Sequence, residues 1–365
     1  MHVSLDELLA RRQYSLDHLE KGRLLAAELT LLTEQHRRTC AGYARILDTF
    51  PPATDVRSLA DVPYLPVALF KTHRLASVPD DEVFKTMTSS GTTGQTVSRV
   101  VLDRRTADLQ TRALAAIMTT LLGPRRLPMI IIDAKHEVSR QKQFSARVAA
   151  VLGMASFGRH HFHALDDDMN LDRRGLAAFL GRFAGEPILV SGSTFMVWQH
   201  LVHQIGPMEA DLSNATLVHG GGWKALQAQA VDNATFKRTL FELTGVTRVH
   251  NFYGMVEQVG SVFLEGHDGY LYPPNFADVI IRDPRTWDEA PVGQAGVIEV
   301  VSALPRSYPG HALLTEDLGV VHGAGDPATG WGGKQLEVIG RVPQAELRGC
   351  GDTYAHEHSG TAMPA

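Results

Sequence analysis

Thr88-Ser89-Ser90-Gly91-Thr92-Thr93-Gly94, continued by Gln95-Thr96-Val97-Ser98-Arg99, is the stretch on which the reading of this chain turns. Residues 88–94 are all hydroxyl residues or glycines. Glycine lets a backbone approach an anion closely, and successive N–H groups form a nest for phosphate oxygens. The hydroxyls add donors, and Arg99 adds a positive charge. A Ser/Thr-rich linker would share this composition, so the surroundings decide. Other phosphate loops do not fit. Lys334 follows Gly333, but Ala328 and Gln335 stand where a G-x-x-x-x-G-K-[ST] loop needs glycine and a hydroxyl. No G-x-G-x-x-G follows a strand-like run, and neither G-x-S-x-G nor H-E-x-x-H occurs.

Around this loop, from 84 to about 255, apolar strand-like runs alternate with helix-like stretches. The runs are Met129–Ile132, Ile188–Val190, Thr216–His219 and Thr247–Phe252; the helical patterns lie near 139–152, 172–184, 194–204 and 223–243. Such alternation predicts a parallel sheet covered on both faces. Upstream, residues 4–49 read as helices, with Leu5, Leu8, Leu9, Leu16 and Leu19 and then Leu25, Leu29 and Leu32 at helical spacing. Pro51-Pro52 ends that arm. Beyond 255 the texture changes to short strands punctuated by Gly and Pro: Val262–Glu265, Ala277–Arg282, Val297–Ser302, Leu318–Val321 and Leu336–Ile339. This predicts antiparallel or mixed β structure. The expected division is a helical arm (1–50), a core domain (51–341) and a short remnant and tail (342–365).

Composition bounds the function. The chain has 365 residues, 44% hydrophobic and 21% charged, with a formal net charge of −5. That is ordinary globular composition and a poor match to nucleic-acid binding, which needs a basic face. Cys40 and Cys350 are the two cysteines. They support neither a disulfide framework nor a four-cysteine zinc site, and they fit a reducing, cytoplasmic setting. The charged N-terminus lacks the apolar core of a secretory signal, and no apolar run is long enough to span a membrane.

Three further segments carry chemistry. His219-Gly220-Gly221-Gly222-Trp223-Lys224 follows a strand-like run; its glycines give flat access to a ring, and Lys224 opens the next helical pattern. Asn251-Phe252-Tyr253-Gly254-Met255-Val256-Glu257 offers a stacking face at Tyr253 and a magnesium ligand at Glu257. Thr315-Glu316-Asp317-Leu318-Gly319 places Asp317 where a ribose diol can be bound, and Gly340-Arg341 lies one strand further on. Each alone reads as a structural turn. Their order after the hydroxyl–glycine loop resembles the adenylate-forming superfamily of acyl-CoA ligases, peptide-synthetase adenylation domains and beetle luciferase. Phe70-Lys71, the H-G-G-G-W-K and N-F-Y-G-M-V-E-Q segments and Arg348-Gly349-Cys350 narrow the resemblance to long-chain acyl-protein synthetases, the fatty-acid-activating component of bacterial bioluminescence and its relatives.

The resemblance implies the superfamily's large α/β domain, with parallel sheets flanked by helices and a smaller β subdomain. It implies ATP and Mg2+ as cofactors. A carboxylic, fatty acid becomes an acyl-adenylate, and its acyl group passes to a thiol: the protein's own cysteine, an acceptor protein (reductase or carrier protein) or CoA. Thr88, Ser89, Ser90, Gly91, Thr92, Thr93 and Gly94 would wrap the phosphates. Gly221, Gly222 and Tyr253 would frame the adenine, Asp317 would bind the ribose, Gly254 and Arg341 would complete the ATP site, and Glu257 would help hold magnesium.

One departure stands out. The superfamily's mobile C-terminal domain delivers a catalytic lysine, whereas only 24 residues follow Arg341 here and none is a lysine. Lys224 or Lys334 would have to substitute, Lys224 being the better placed, or positioning and magnesium must suffice. A pocket for the acid is expected around Ser193, Phe195, His219 and Met255, although such stripes also build plain core. Cys350, flanked by glycines and close to Arg348, is either the acylated thiol or a packed residue. His160-His161-Phe162-His163, His200 and His203 read as surface or pocket-edge histidines. The competing reading of the whole chain is a nucleotide-binding regulatory or scaffold protein with reduced catalysis.

Overall fold

In the computed structural model, which describes residues 4–49, 56–89, 97–135, 146–223, 230–326 and 328–342, the N-terminal leucines build the helices Leu5–Ala10, His18–Thr39 and Ala41–Leu47. Ser4 and Glu7 form a capping box on the first, and the Asp17 side chain caps the second. Leu25, Leu29 and Leu32 are buried as their spacing predicts; Leu19 instead faces solvent. The long helix is anchored by two ion pairs, Lys21 with Asp278 at 3.6 Å and Glu28 with Arg306.

The strands, in chain order, are β1 (Leu65–Pro66), β2 (Lys85–Thr88), β3 (Arg99–Leu102), β4 (Leu127–Ala134), β5 (Gly158–Leu165), β6 (Ile188–Ser193), β7 (Ala215–Gly220), β8 (Arg248–Tyr253), β9 (Phe263–Glu265), β10 (Leu271–Tyr272), β11 (Ala277–Arg282), β12 (Gly296–Ser302), β13 (Ala312–Asp326) and β14 (Trp331–Arg341). By contact the described residues form two units, one within 4–121 and 253–342 and the other within 122–252. The helical arm therefore belongs to the first unit.

That unit carries antiparallel strands in the order β11-β12-β13-β14-β10-β9, with β1 parallel to β13 and a separate β2-β3 hairpin. The second unit is the predicted parallel sheet, ordered β5-β4-β6-β7-β8. Met129 to Ile132 are all buried, as expected for a parallel strand covered on both faces. Helices Arg173–Arg182 and Asn233–Thr244 contribute Leu176, Phe179, Phe236 and Leu240 to its core.

Several local expectations change. The T-E-D-L-G segment is not a turn but lies within the 15-residue strand β13, held by β12 on one side and β14 on the other. The helix expected at 194–204 is a short helix, Thr194–Met196, followed by a π-helical turn, Val197–Val202. β5 holds the His160–His163 cluster and, among the described residues, lies at the sheet edge with β4 as its neighbouring strand, which is why a polar sequence is tolerated there. His200, expected at the surface, is buried and bonds the Met169 carbonyl through Nδ1 at 3.0 Å.

In the first unit His36 and His311 stack at 5.1 Å, and His36 bonds Ser77 and the Pro305 carbonyl. Burial pushes His36 down to about 4, despite the opposing pull of the Pro305 carbonyl. A depressed histidine stabilises the fold above its unfolded pKa of about 6.5 and loses that contribution as pH falls towards its folded value. At pH 5 the loss is roughly 2 kcal/mol for one such group. The buried carboxyls Glu257 and Asp317 are raised and titrate in the opposite sense. The histidine contribution is therefore read by comparison with His36→Gln. The drop in urea stability between pH 7.5 and 5 should shrink by about this amount in the variant; equal drops in the two proteins would refute it.

Candidate active site

The β2-β3 hairpin sets the base of the hydroxyl–glycine loop. Thr88 pairs with Arg99, and the ladder runs one step further: Ser89 N–H donates to the Ser98 carbonyl at 3.1 Å, and Ser98 N–H donates to Ser89 Oγ at 2.9 Å. The Ser89 hydroxyl thus accepts a bond that closes the loop. Ser90, Gly91, Thr92, Thr93 and Gly94 lie outside the described residues.

Beside this hairpin, the short helix Leu69–Thr72 and the 3-10 turn Val256–Gln258 both pack on β3. The turn buries Glu257, whose side chain bonds Ser98 and whose carbonyl accepts Tyr308 OH at 2.9 Å. Burial raises the Glu257 carboxyl, while Ser98 and the charge of Lys71 pull it back down.

From Lys71 a chain of charges follows. Its Nζ lies 3.0 Å from Glu316 Oε1, and Arg341 Nη2 lies 3.2 Å from Glu316 Oε2. Arg341 Nε is 3.3 Å from Asp317 Oδ1, and Tyr253 OH donates to Asp317 Oδ2 at 2.8 Å. Strand register explains the central pair, since Asp317 on β13 lies opposite Arg341 on β14. Burial raises Asp317, with Tyr253 and Arg341 opposing that rise. The hydroxyl of Tyr253 is raised well above its ordinary value, by burial first and then by the Asp317 charge, so it stays a donor. The first unit therefore brings together Tyr253, Glu257, Asp317 and Arg341 from the sequence reading. It adds Ser98 and Glu316, which that reading did not select, and Lys71, which it noted without a role. Pairing across long sequence separations was the missing signal.

The fit to magnesium can be judged from the donors. Among the described residues no group of three or more His, Cys, Asp or Glu side chains is arranged to hold a metal ion. One buried carboxylate with phosphate oxygens is, however, an arrangement that magnesium favours, and Glu257 matches it.

In the second unit His219, the residue before the end of β7, sets its ring against Phe236 at 4.5 Å. Its Nδ1 bonds Thr194 Oγ1 at 2.9 Å, while Nε2 is buried without a hydrogen-bond partner among the described residues. Burial, reinforced by the charge of Lys237, pushes the ring down to about 3, so it is neutral at physiological pH. Ser193 caps the helix Thr194–Met196 through the Met196 N–H, and Phe195 is buried in the unit's core. Trp198 stacks on Phe236 and meets Trp223 edge-on.

The glycine run has three distinct roles. A Cβ at Gly220 would lie 2.5 Å from the Phe252 ring, Gly221 has φ +82, and a Cβ at Gly221 or Gly222 would meet nothing within 4 Å among the described residues. Gly254 is exposed and Met255 half-buried, both in the first unit. Lys224 and Cys350 lie outside the described residues. Lys334, the alternative lysine, is held by the Val279 carbonyl at 2.8 Å and by Glu289 at 2.9 Å.

The βα-alternating parallel sheet and the antiparallel strands make up the mixed α/β fold found in adenylate-forming ligases. Solved structures of 2-hydroxyisobutyryl-CoA ligase share the fold. The complex with 2-HIB-AMP in the postadenylation state is 17% identical, with TM-score 0.65 over 91% of this chain and 70% of that chain. The complex with 2-HIB-AMP and CoA in the thioesterification state is 18% identical, with TM-score 0.66 over 92% and 70%.

The chain belongs to the family of the acyl-protein synthetase LuxE, which it matches over residues 3–358. It is 25% identical to the long-chain-fatty-acid–luciferin-component ligase of Vibrio harveyi, over 95% of this chain and 92% of that protein. To the ligase of the same name from Aliivibrio fischeri it is 22% identical, over 83% and 80%. The protein is an enzyme that forms an acyl-adenylate and passes the acyl group to a thiol. Among the described residues no helix is long and apolar enough to cross a membrane.

Proposed function

We propose that this chain activates a fatty acid with ATP and Mg2+ and transfers the acyl group to a protein thiol. A carboxylate oxygen of the acid attacks the α-phosphorus of ATP. The bond from that phosphorus to the bridging oxygen breaks, and pyrophosphate leaves. A thiolate then attacks the acyl carbonyl, the mixed-anhydride C–O bond breaks, and AMP departs. Charge neutralisation and in-line positioning do most of this work.

The observation that carries the proposal is the linked set Tyr253–Asp317–Arg341–Glu316–Lys71 beside the buried Glu257. Asp317 takes the ribose hydroxyls, oriented by Tyr253 and Arg341. Tyr253, Gly254, Gly221 and Gly222 frame the adenine, and residues 88–94 wrap the phosphates. Glu257 would hold magnesium, which neutralises phosphate charge when bound. Lys224 meets the α-phosphate. Ser193, Phe195, His219 and Met255 border the acid. The neutral His219 can offer a hydrogen bond but no positive charge to a carboxylate. The acceptor is Cys350, a reductase or carrier protein, or CoA; the name of the Vibrio harveyi relative favours a protein over CoA. Two cysteines in 365 residues support a cytoplasmic setting.

Acid-dependent exchange of labelled pyrophosphate into ATP tests the activation step. Exchange with a long-chain acid supports the proposal, and silence with every long-chain acid overturns the assignment of a fatty acid as the substrate. The double variant Thr92→Ala/Thr93→Ala should cut exchange about tenfold or more per lost hydroxyl, since each charge-assisted bond contributes roughly 1.5–3 kcal/mol. A double variant with wild-type exchange and wild-type ATP affinity would remove the loop from the site.

A further inference from the structure

We infer that Lys71 is a phosphate-binding residue of this site, held beside Glu257 by Glu316 and acting on the pyrophosphate end of ATP rather than on its nucleoside. The inference rests on the proposed ATP-dependent activation and goes beyond it by assigning a cation that the sequence reading left without a role.

The arrangement has a direction. At one end stand Tyr253 and Asp317, joined by a 2.8 Å hydrogen bond and suited to a nucleoside. At the other end stand Ser98, on the closing base of the hydroxyl–glycine loop, and Glu257, which bonds it. Lys71 lies at this second end: its helix packs on β3, as does the turn carrying Glu257, and its charge acts on the Glu257 carboxyl. Glu316 occupies the middle, one oxygen on Lys71 and the other on Arg341. Arg341 is committed to both Glu316 and Asp317 and so serves the nucleoside end. Among the described residues, Lys71 and Arg341 are the cations paired within the cluster of Glu316, Asp317 and the nearby Glu257. A polyphosphate brought there needs positive charge near Glu257, and Lys71 supplies it. Its side chain is only 16% exposed, so its charge is less screened than that of a surface lysine.

The test compares ligands with and without the phosphate tail. Equilibrium binding of fluorescent ATP, fluorescent AMP and pyrophosphate is measured on the full chain, alongside pyrophosphate exchange. Lys71→Met should weaken ATP and pyrophosphate about tenfold and leave AMP within about twofold. Lys71→Arg should recover most of the ATP affinity. Asp317→Asn should weaken AMP and ATP alike. Equal loss of AMP and ATP in Lys71→Met would make the lysine a structural clamp, and unchanged ATP binding would remove it from the site; either result overturns the inference while wild-type exchange keeps the activation reading intact. A wild type that neither binds ATP nor exchanges pyrophosphate would overturn both. If Lys71→Met fails to fold, Lys71→Gln carries the same comparison.

Discussion

Replacing Glu257 with glutamine should lower acid-dependent pyrophosphate exchange about a hundredfold without weakening the fold. The side chain keeps its shape and its bond to Ser98 but loses the charge proposed to hold magnesium. The apparent magnesium requirement should rise as well. The effect on stability has the opposite character. Burial already raises the carboxyl, so the protein bears a desolvation cost to keep an anion there. A neutral isostere removes that cost, and the urea midpoint should stay level or increase. Wild-type exchange in Glu257→Gln would discard the metal role. A steep loss of stability alongside lost activity would make Glu257 a structural residue.

Cys350→Ser should abolish covalent acylation while leaving the activation step in place. Wild type incubated with ATP, magnesium and a labelled acid is expected to keep hydroxylamine-sensitive label after denaturation, whereas Cys350→Ser should keep none and still exchange pyrophosphate. The thiolate is the nucleophile, and Arg348 close by in sequence favours it, with glycines on either side letting the backbone adapt. Label that persists in Cys350→Ser, or never forms on wild type, would move the acceptor to CoA or a partner protein. Cys40 is no rival, because it is buried between two helices of the N-terminal arm.

Much of the local architecture was legible in the sequence. Met129–Ile132 read as a buried strand, because its short run of apolar residues leaves no polar face for water and ends at Asp133. The leucine spacing of residues 18–39 could only be an amphipathic helix, with Leu19 the one misread member at its solvent-facing start. Polar strands were harder. β5 carries His160, His161 and His163, and β13 carries Thr315, Glu316 and Asp317; neither shows the alternation that marks a half-buried strand. They are strands because a neighbouring strand takes up their backbone groups, which is a property of the pairing rather than of the segment.

The same division runs through the site. Chain order pointed to the type of chemistry through a family resemblance: a hydroxyl–glycine loop, a glycine run after a strand, a Tyr-Gly-x-x-Glu segment and an acidic segment before a closing arginine. Those motifs are local, and their spacing survives in one dimension. Only the tertiary structure decided that Asp317 is gripped by Tyr253 and Arg341, that Glu257 is buried against Ser98, and that Lys71 joins them through Glu316. Lys71 and Glu316 are 245 positions apart. Electrostatic coupling depends on distance in space and on the exclusion of water, and neither can be read along a chain.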